Sequence, residues 1–477
     1  MKLCSTIKKN CTSLFRSSAN QLIISLANFI FVFQFSLFSQ TALNSDLSTK
    51  LQQALDDKFN SYNLKGVAAA LSMPNGDVWL GASGSSDGTD TIKTDMLFGI
   101  GSNTKTFTSS IIMLLTQDSL LSLEDSIYHW IPSYKFVDST ITIHQLLNHT
   151  SGIYDYAHSQ AVQDSFLFDP AKFWTANEIL STFLDTAYFP KGTSYHYSNS
   201  EYLILGMIIE AVTGQTYIQQ LHSRIIDPFN LSHTFLDQYD SLNGTMAHMW
   251  YDIFDNNTTY DLVALNVPRT ALFSSSWSAG AIFSTAQDMV NWSKDLFQGK
   301  VVNDSSLQQM LDFLPTYNYG LGLMKFSISG RTLWGHDGDA VYMSMLTFSS
   351  YDTISIAILC NDGETTSSQL TALTKALLDT YINYFYAGID ELQQNTLEVS
   401  AYPNPFKNST TIKYVLNETE EINIDVYDVL GKNIAHLYNG KQEKGNHEIE
   451  WDTKTKGMYL CRITYNNQTE IIILAKE

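Results

Sequence analysis

Hydrophobic positions along this chain follow different rhythms in succession. Residues 47–59 place Leu47, Leu51, Ala54, Leu55 and Phe59 at helical spacing, which predicts an amphipathic helix. Residues 66–72 form an unbroken run of apolar and small residues. The turn Pro74-Asn75-Gly76-Asp77 follows and residues 78–82 run back, a pattern that predicts a β-hairpin. Helices and loops fill residues 120–235, with residues 143–147 and 202–212 the clearest helices. The pattern then turns to short β-rich runs at 320–325, 331–334, 343–348 and 354–360, and Leu370, Leu373, Leu377 and Tyr381 mark a closing helix. An opening hairpin, a helical middle and a returning antiparallel sheet with a terminal helix predict an α+β core. Its site is expected where sheet and helical region meet.

Past residue 385 the texture changes. Residues 388–395 are a polar connector, and residues 411–415, 422–427 and 458–464 read as strands, with Ile422, Ile424 and Val426 on one face. Turn signals at Lys407-Asn408-Ser409, Gly431, Asn439-Gly440 and Gly445-Asn446 punctuate this segment. A small antiparallel β-sandwich is expected. At the other end, Lys2, Lys8, Lys9 and Arg16 precede an apolar run over residues 22–38 and the small or polar residues Ser39-Gln40-Thr41-Ala42. That is the layout of a cleaved secretory signal. A membrane anchor is the alternative; Ser25, Asn28 and Gln34 interrupt the run and no basic cluster follows it, so no stable span is expected after cleavage. The expected organisation is a signal peptide at 1–39, a catalytic domain at 44–386, a linker at 387–398 and a terminal sandwich at 399–477.

Composition narrows the function. Apolar residues at 44% and charged residues at 16% describe globular domains with full cores rather than a disordered chain. The formal charge of −20 argues against a nucleic-acid partner, which needs clustered Lys and Arg. Loss of the four leader cations brings the mature chain to −24. Cys4 and Cys11 leave with the leader, while Cys360 and Cys461 each lie in an apolar run, in different domains. They are expected as buried single thiols, and their spacing points to no metal.

The candidate chemistry begins at Gly99-Ile100-Gly101-Ser102-Asn103-Thr104-Lys105. A glycine-lightened turn entering a helix puts Ser102 near the positive end of the helix dipole, and Lys105 falls on the same face, within reach of its hydroxyl. Gly-x-Ser-x-Gly is excluded, because Ile100 and Thr104 stand where the glycines should be. The same Ser-x-x-Lys spacing occurs by chance at Ser5 and Lys8, so partners matter. Tyr197-Ser198-Asn199 supplies a phenol, whose phenolate an adjacent ammonium favours, and an amide for a substrate carbonyl or N–H. Gly335-His336-Asp337-Gly338 lies between two strand runs, where glycine lets the backbone approach a substrate. The backbone N–H groups of Asp339 and Ser102 form a candidate two-donor oxyanion hole. His144, His149 and His196 read as structural, and Trp277 is expected in the pocket wall.

In this order, Ser102-x-x-Lys105, Tyr197-x-Asn199 and His336-x-Gly338 resemble the β-lactamase-related serine hydrolases. That group includes class C β-lactamases, D-Ala-D-Ala carboxypeptidases, D-aminopeptidases and serine esterases. Connecting stretches match too: Leu146–Gly152, Tyr197–Gly214, Ser278-Ala279-Gly280 and Ser284–Asp288. The resemblance implies a β-lactamase/penicillin-binding-protein-like fold, acylation of Ser102, a base role shared by Lys105 and Tyr197, and no metal or cofactor. It implies substrate contacts at Asn199, His336, Asp337, Gly338 and Asp339. Relatives that bind a carboxylate carry Lys-Thr-Gly where His336-Asp337-Gly338 stands, so a neutral ester or a peptide-like amide is the expected substrate. The alternatives are a β-lactamase or D-Ala-D-Ala carboxypeptidase, and a surface-binding protein without turnover. Tyr402-Pro403-Asn404-Pro405-Phe406, Val426–Lys432, Trp451-Asp452 and Gly457-Met458-Tyr459 resemble the type A sorting domain of the type IX secretion system. That implies secretion machinery as a partner and a secreted or cell-surface location.

Overall fold

The computed structural model describes residues 44–390, 397–416, 418–428, 432–465 and 468–476. The expected signal peptide and half of the linker, residues 391–396, lie outside the described residues, as do Val429, Leu430 and Gly431 of the sorting-domain motif.

Helix α1 (Ser45–Tyr62) starts at Asn44, whose side chain accepts the N–H groups of Asp46 and Leu47, satisfying donors that a helix leaves open. The hairpin follows as β1 (Gly66–Ser72) and β2 (Val78–Gly84). The nucleophile candidate leads into α2 (Thr104–Gln117), and the helical region contains α3 (Asn199–Thr213), α4 (Thr270–Gly280) and α5 (Ala286–Phe297). Strands β3 (Met324–Ile328), β4 (Arg331–Asp339), β5 (Met343–Ser349) and β6 (Ile354–Cys360) return to the hairpin, and α6 (Ser367–Asp390) closes the unit. The result is one antiparallel sheet in the order β2-β1-β6-β5-β4-β3.

The central strands are covered on both faces, which explains why their sequences run apolar without alternation. Val67, Ala69, Leu71, Ile356 and Ile358 point to α1 and α6, where they pack with Leu51, Leu55, Leu373 and Leu377. Ala68, Ala70, Ala357 and Leu359 point to the helical region. Each fully buried leucine contributes roughly 1.5–3 kcal/mol. On the second face Phe107 of α2 stacks on Trp292 of α5 with ring centroids 4.2 Å apart, and Trp292 Nε1 donates to Thr106 Oγ1 at 2.9 Å. Helix α2 is thereby fixed to the helix that lines the sheet.

Two strand expectations need correction. The run at 320–325 is mostly loop: Gly322 sits at φ +72 and its N–H donates to Leu147 O, and β3 begins only at Met324. Conversely, residues 335–338 are not a turn between strands. They lie inside β4, paired residue by residue with β5 from Leu333↔Ser349 to Asp339↔Met343. A side chain at Gly335 would bring a Cβ to 1.8 Å from Leu346 O, so glycine permits this pairing.

Residues 398–476 form a sandwich of β7 (Glu398–Tyr402), β8 (Ser409–Leu416), β9 (Glu420–Asp428), β10 (Asn433–Gln442), β11 (Gly445–Asp452), β12 (Gly457–Tyr465) and β13 (Gln468–Lys476). Its sheets are β7-β8-β11 and β10-β9-β12-β13. Ile422, Ile424 and Val426 face inward together. The Asn439-Gly440 turn signal falls inside β10, held there by pairing of Gly440 with Ile422. Cys360 and Cys461 are free and buried. Among the described residues no helix is long and apolar enough to cross a membrane.

Candidate active site

Ser102 lies in a 3₁₀ turn, Gly101–Asn103, between the short strand Phe98–Gly99 and the start of α2. Gly101 has φ +50, a left-handed conformation that strains residues with side chains. A Cβ there would also lie 2.7 Å from the backbone nitrogen of Asp339. Glycine thus serves both the turn and the approach of β4. Gly338 does the same from the other side, since a Cβ on it would meet Ile100 O at 2.1 Å. The amides of Ser102 and Asp339 are brought together by these two contacts.

Lys105 is fully buried. Its Nζ lies 3.0 Å from Ser102 Oγ, 2.8 Å from Asn199 Oδ1 and 2.8 Å from Ala279 O. A neutral amine in this place donates to the two carbonyl oxygens and keeps its lone pair for the Ser102 hydroxyl. Burial pushes Lys105 down to about 7, against the opposing pulls of Asp155 and Asp337. Its Nζ also stands 4.9 Å from the centroid of the Tyr197 ring and 5.4 Å from that of Tyr202.

Tyr197 is half-buried, with its hydroxyl shielded from solvent and turned to Ser102. Burial drives its pKa well above 10, outweighing the lowering effect of Ser102. The expected phenolate is therefore corrected to a phenol: desolvation disfavours the anion, and the neighbouring lysine is itself pushed toward neutrality. Asn199 is committed within the protein. Its Oδ1 receives Lys105, its Nδ2 donates to Asp155 Oδ2 at 3.2 Å, and its backbone N–H donates to Asp155 Oδ1 at 3.0 Å.

Strand alternation places His336 and Asp337 on opposite faces of β4. His336 is fully buried: Tyr319 Oη is 3.0 Å from its Nε2, and its Nδ1 bonds Asp337 O. Burial lowers it to about 4, so it is neutral. Asp337 accepts a hydrogen bond at Oδ2 from Ser367 at the start of α6. The Asp339 side chain is exposed, and its backbone reaches the nucleophile turn.

Several residues at the site escaped sequence reasoning. The Ala279 carbonyl has no side-chain signature, and Asp155 and Tyr319 sit in loops whose pairing partners are distant in the chain. The segment holding Ala279 follows Trp277, whose backbone at φ +34, ψ −118 breaks α4. Trp277, expected in the pocket wall, is buried and packs against Tyr217, with ring centroids 5.3 Å apart.

Residues 49–380 match the family model described as Beta-lactamase, and residues 400–475 match the Secretion system C-terminal sorting domain. The chain is 26% identical over 275 residues to Penicillin-binding protein 4* of Bacillus subtilis (strain 168), covering 54% of this chain and 58% of that protein. It is 30% identical over 207 residues to Protein flp of Staphylococcus aureus (strain N315), covering 42% of this chain and 40% of that protein. The match therefore spans about half the length of these relatives. Among solved structures, the D-amino acid amidase from Ochrobactrum anthropi SV3 superposes with a TM-score of 0.63 at 27% identity, covering 72% of this chain and all of that one. With the fold, the Ser102–Lys105 pair and the family match in agreement, this chain belongs to the Beta-lactamase family of serine hydrolases and carries a secretion-system sorting domain.

Proposed function

We propose that this protein is an exported hydrolase that cleaves small neutral esters or peptide-like amides through an acyl-enzyme on Ser102. The observation that carries the reading is the buried Lys105 amine, 3.0 Å from Ser102 Oγ with its two hydrogens directed to Asn199 and Ala279. Unprotonated Lys105 takes the Ser102 proton as Oγ attacks the carbonyl carbon. Negative charge on the carbonyl oxygen is met by the backbone N–H groups of Ser102 and Asp339. Tyr197, a phenol, gives its proton to the leaving oxygen or nitrogen and recovers one from Lys105. Water then releases the acyl group by the reverse relay.

Substrate choice follows from β4. Where carboxylate-binding relatives carry lysine, His336 is neutral and its ring nitrogens are bonded to Tyr319 and Asp337. Asp337 points to the opposite face of β4, toward Ser367, and its charge acts on the site only through space. These features favour a neutral group over a penicillin or a free D-Ala terminus, and the likeness to the D-amino acid amidase supports the amide side of the reading. Gly338 lets β4 approach the Ser102 turn and so carries the Asp339 amide toward the carbonyl oxygen.

Incubation with a fluorophosphonate and with a fluorescent penicillin, followed by mass spectrometry of the adduct, tests the reading. Labelling at Ser102, lost in Ser102→Ala, is expected from the fluorophosphonate. An unlabelled wild type removes the acyl-enzyme. Much faster turnover of cephalosporins than of short acyl esters replaces the proposed substrate by a β-lactam.

A further inference from the structure

Beside Tyr197 lies a buried pair that the reaction as drawn does not use. His149 and Glu201 are both wholly shielded from solvent. Glu201 Oε2 contacts His149 Nδ1, and its Oε1 accepts a hydrogen bond from Ser151 Oγ. The backbone N–H of Ser198 also donates to His149 Nδ1, at 3.3 Å. The Ser198 N–H is aimed at Nδ1, which fits an unprotonated Nδ1 that takes its hydrogen bond mainly from a Glu201 carboxylic acid, with the His149 Nε2 atom left unpartnered among the described residues. Desolvation acts in the same sense on both, raising Glu201 and lowering His149.

His149 is also the residue against which the tyrosine loop is built. It has φ +61, a conformation uncommon for a histidine, and its carbonyl accepts the N–H of His196 at 3.1 Å. Its ring centroid lies 4.3 Å from that of Tyr197 and 4.6 Å from that of Tyr319. The packing of its ring against His149 and Tyr319 directs Tyr197 Oη toward Ser102.

We propose that Glu201 is a positioning residue: as a neutral carboxylic acid it locks His149, and the His149 ring holds Tyr197 in line with Ser102. The proposal rests on Tyr197 as the proton carrier. The titratable groups facing Glu201 are His149, Lys105 of α2, Asp155 of the preceding loop, Tyr195, and Tyr202 of its own helix. His149 in turn faces His196 and His336. A charge on Glu201 keeps Lys105 protonated to higher pH, whereas a neutral Glu201 does not.

The test measures kcat and KM on a chromogenic acetyl ester from mildly acid to alkaline pH for wild type, Glu201→Gln and Glu201→Leu. The glutamine amide can donate to His149 and accept from Ser151, so Glu201→Gln is expected to keep kcat within about threefold and to leave the acid limb in place. Glu201→Leu is expected to lower kcat by roughly tenfold or more with KM little changed, as loss of an aligned proton carrier does. An acid limb displaced by about one pH unit toward acid in Glu201→Gln marks a charged carboxylate in the native enzyme and overturns the proposal. Unchanged kcat in Glu201→Leu overturns it too. If that variant does not fold, the glutamine pH profile decides. Fluorophosphonate labelling of Ser102 in wild type separates the cases: without it the proposed reaction fails, and with it only the role of Glu201 is at stake.

Discussion

The carbonyl oxygen of Ala279 accepts a hydrogen bond from Lys105 Nζ at 2.8 Å, so a backbone atom orients the amine beside Ser102. Buried with that partner, Lys105 titrates near 7 rather than 10.5. Acylation is expected to rise with pH through about 7 and to level off above it, measured as the rate of fluorophosphonate labelling. The same shift governs stability. Between about 7 and 10.5 the unfolded chain binds a proton at Lys105 that the folded chain has lost, so this group makes stability rise with pH across that window. Urea midpoints of wild type relative to Lys105→Met should climb over the same range. A labelling limb in the carboxylate range, with no pH trend in the midpoints, removes Lys105 as the base.

Asp155 acts one step further out. Its Oδ1 accepts the backbone N–H of Asn199, and its Oδ2 accepts the Asn199 side chain and lies 2.9 Å from His158 Nδ1. Asp155→Ala strands these donors, which costs about 1–3 kcal/mol. It also frees the amide that holds Lys105, with kcat expected to fall on the order of tenfold. Asp155→Asn separates charge from scaffold. Because the carboxylate pulls the Lys105 pKa upward, the asparagine variant should shift the acid limb to lower pH. A chemical-denaturation curve and a pH–rate profile on each variant check both parts.

Gly338→Ala probes the contact between β4 and the nucleophile turn. The added methyl would meet Ile100 O at 2.1 Å and Ser344 Oγ at 2.5 Å. Because the first neighbour is backbone, relief requires β4 to move away from Ser102, carrying the Asp339 amide with it. Overpacking of this kind costs about 1–3 kcal/mol. Loss of one oxyanion donor lowers kcat by about 10²–10³. Circular dichroism melting and ester hydrolysis read the two effects, and a fully active Gly338→Ala removes the Asp339 amide from the proposed site.

The legible parts of this molecule were those with local signatures. Helix α1, the hairpin and the Ser102 turn follow from spacing and turn residues that act within a few positions. Strand β4 was misread at Gly335 and Gly338 because glycine pairs are also turn signals; pairing with β5 decided the matter, and that partner is not local. In the sandwich, β10 and β11 went unnoticed because their exposed faces are polar and their buried faces sparse. The Ser102, Lys105 and Tyr197 candidates were assembled by their order along the chain, and folding brings the three side chains together. Their support by Asp155, Glu201 and Ala279 was not legible that way, since a loop carboxylate or a backbone carbonyl acquires meaning only when folding brings it against a distant amine or amide.

The sorting module is built to be separable from the hydrolase. Its core, including Ile412, Tyr414, Ile424, Trp451 and Ile463, draws only on residues 397–474, and none of these enters the two clusters of the catalytic unit. A domain of roughly 80 residues with its own core lies within the range that folds alone. Truncation after residue 390 is therefore expected to leave Ser102 labelling at the wild-type rate in purified protein. Because the C-terminal sorting domain implies export through its secretion system, the truncated chain should instead remain cell-associated in a host that has that machinery. Fractionation with an activity stain distinguishes the outcomes. Loss of labelling on truncation ties the sandwich to catalysis, and undiminished appearance in the medium removes its sorting role.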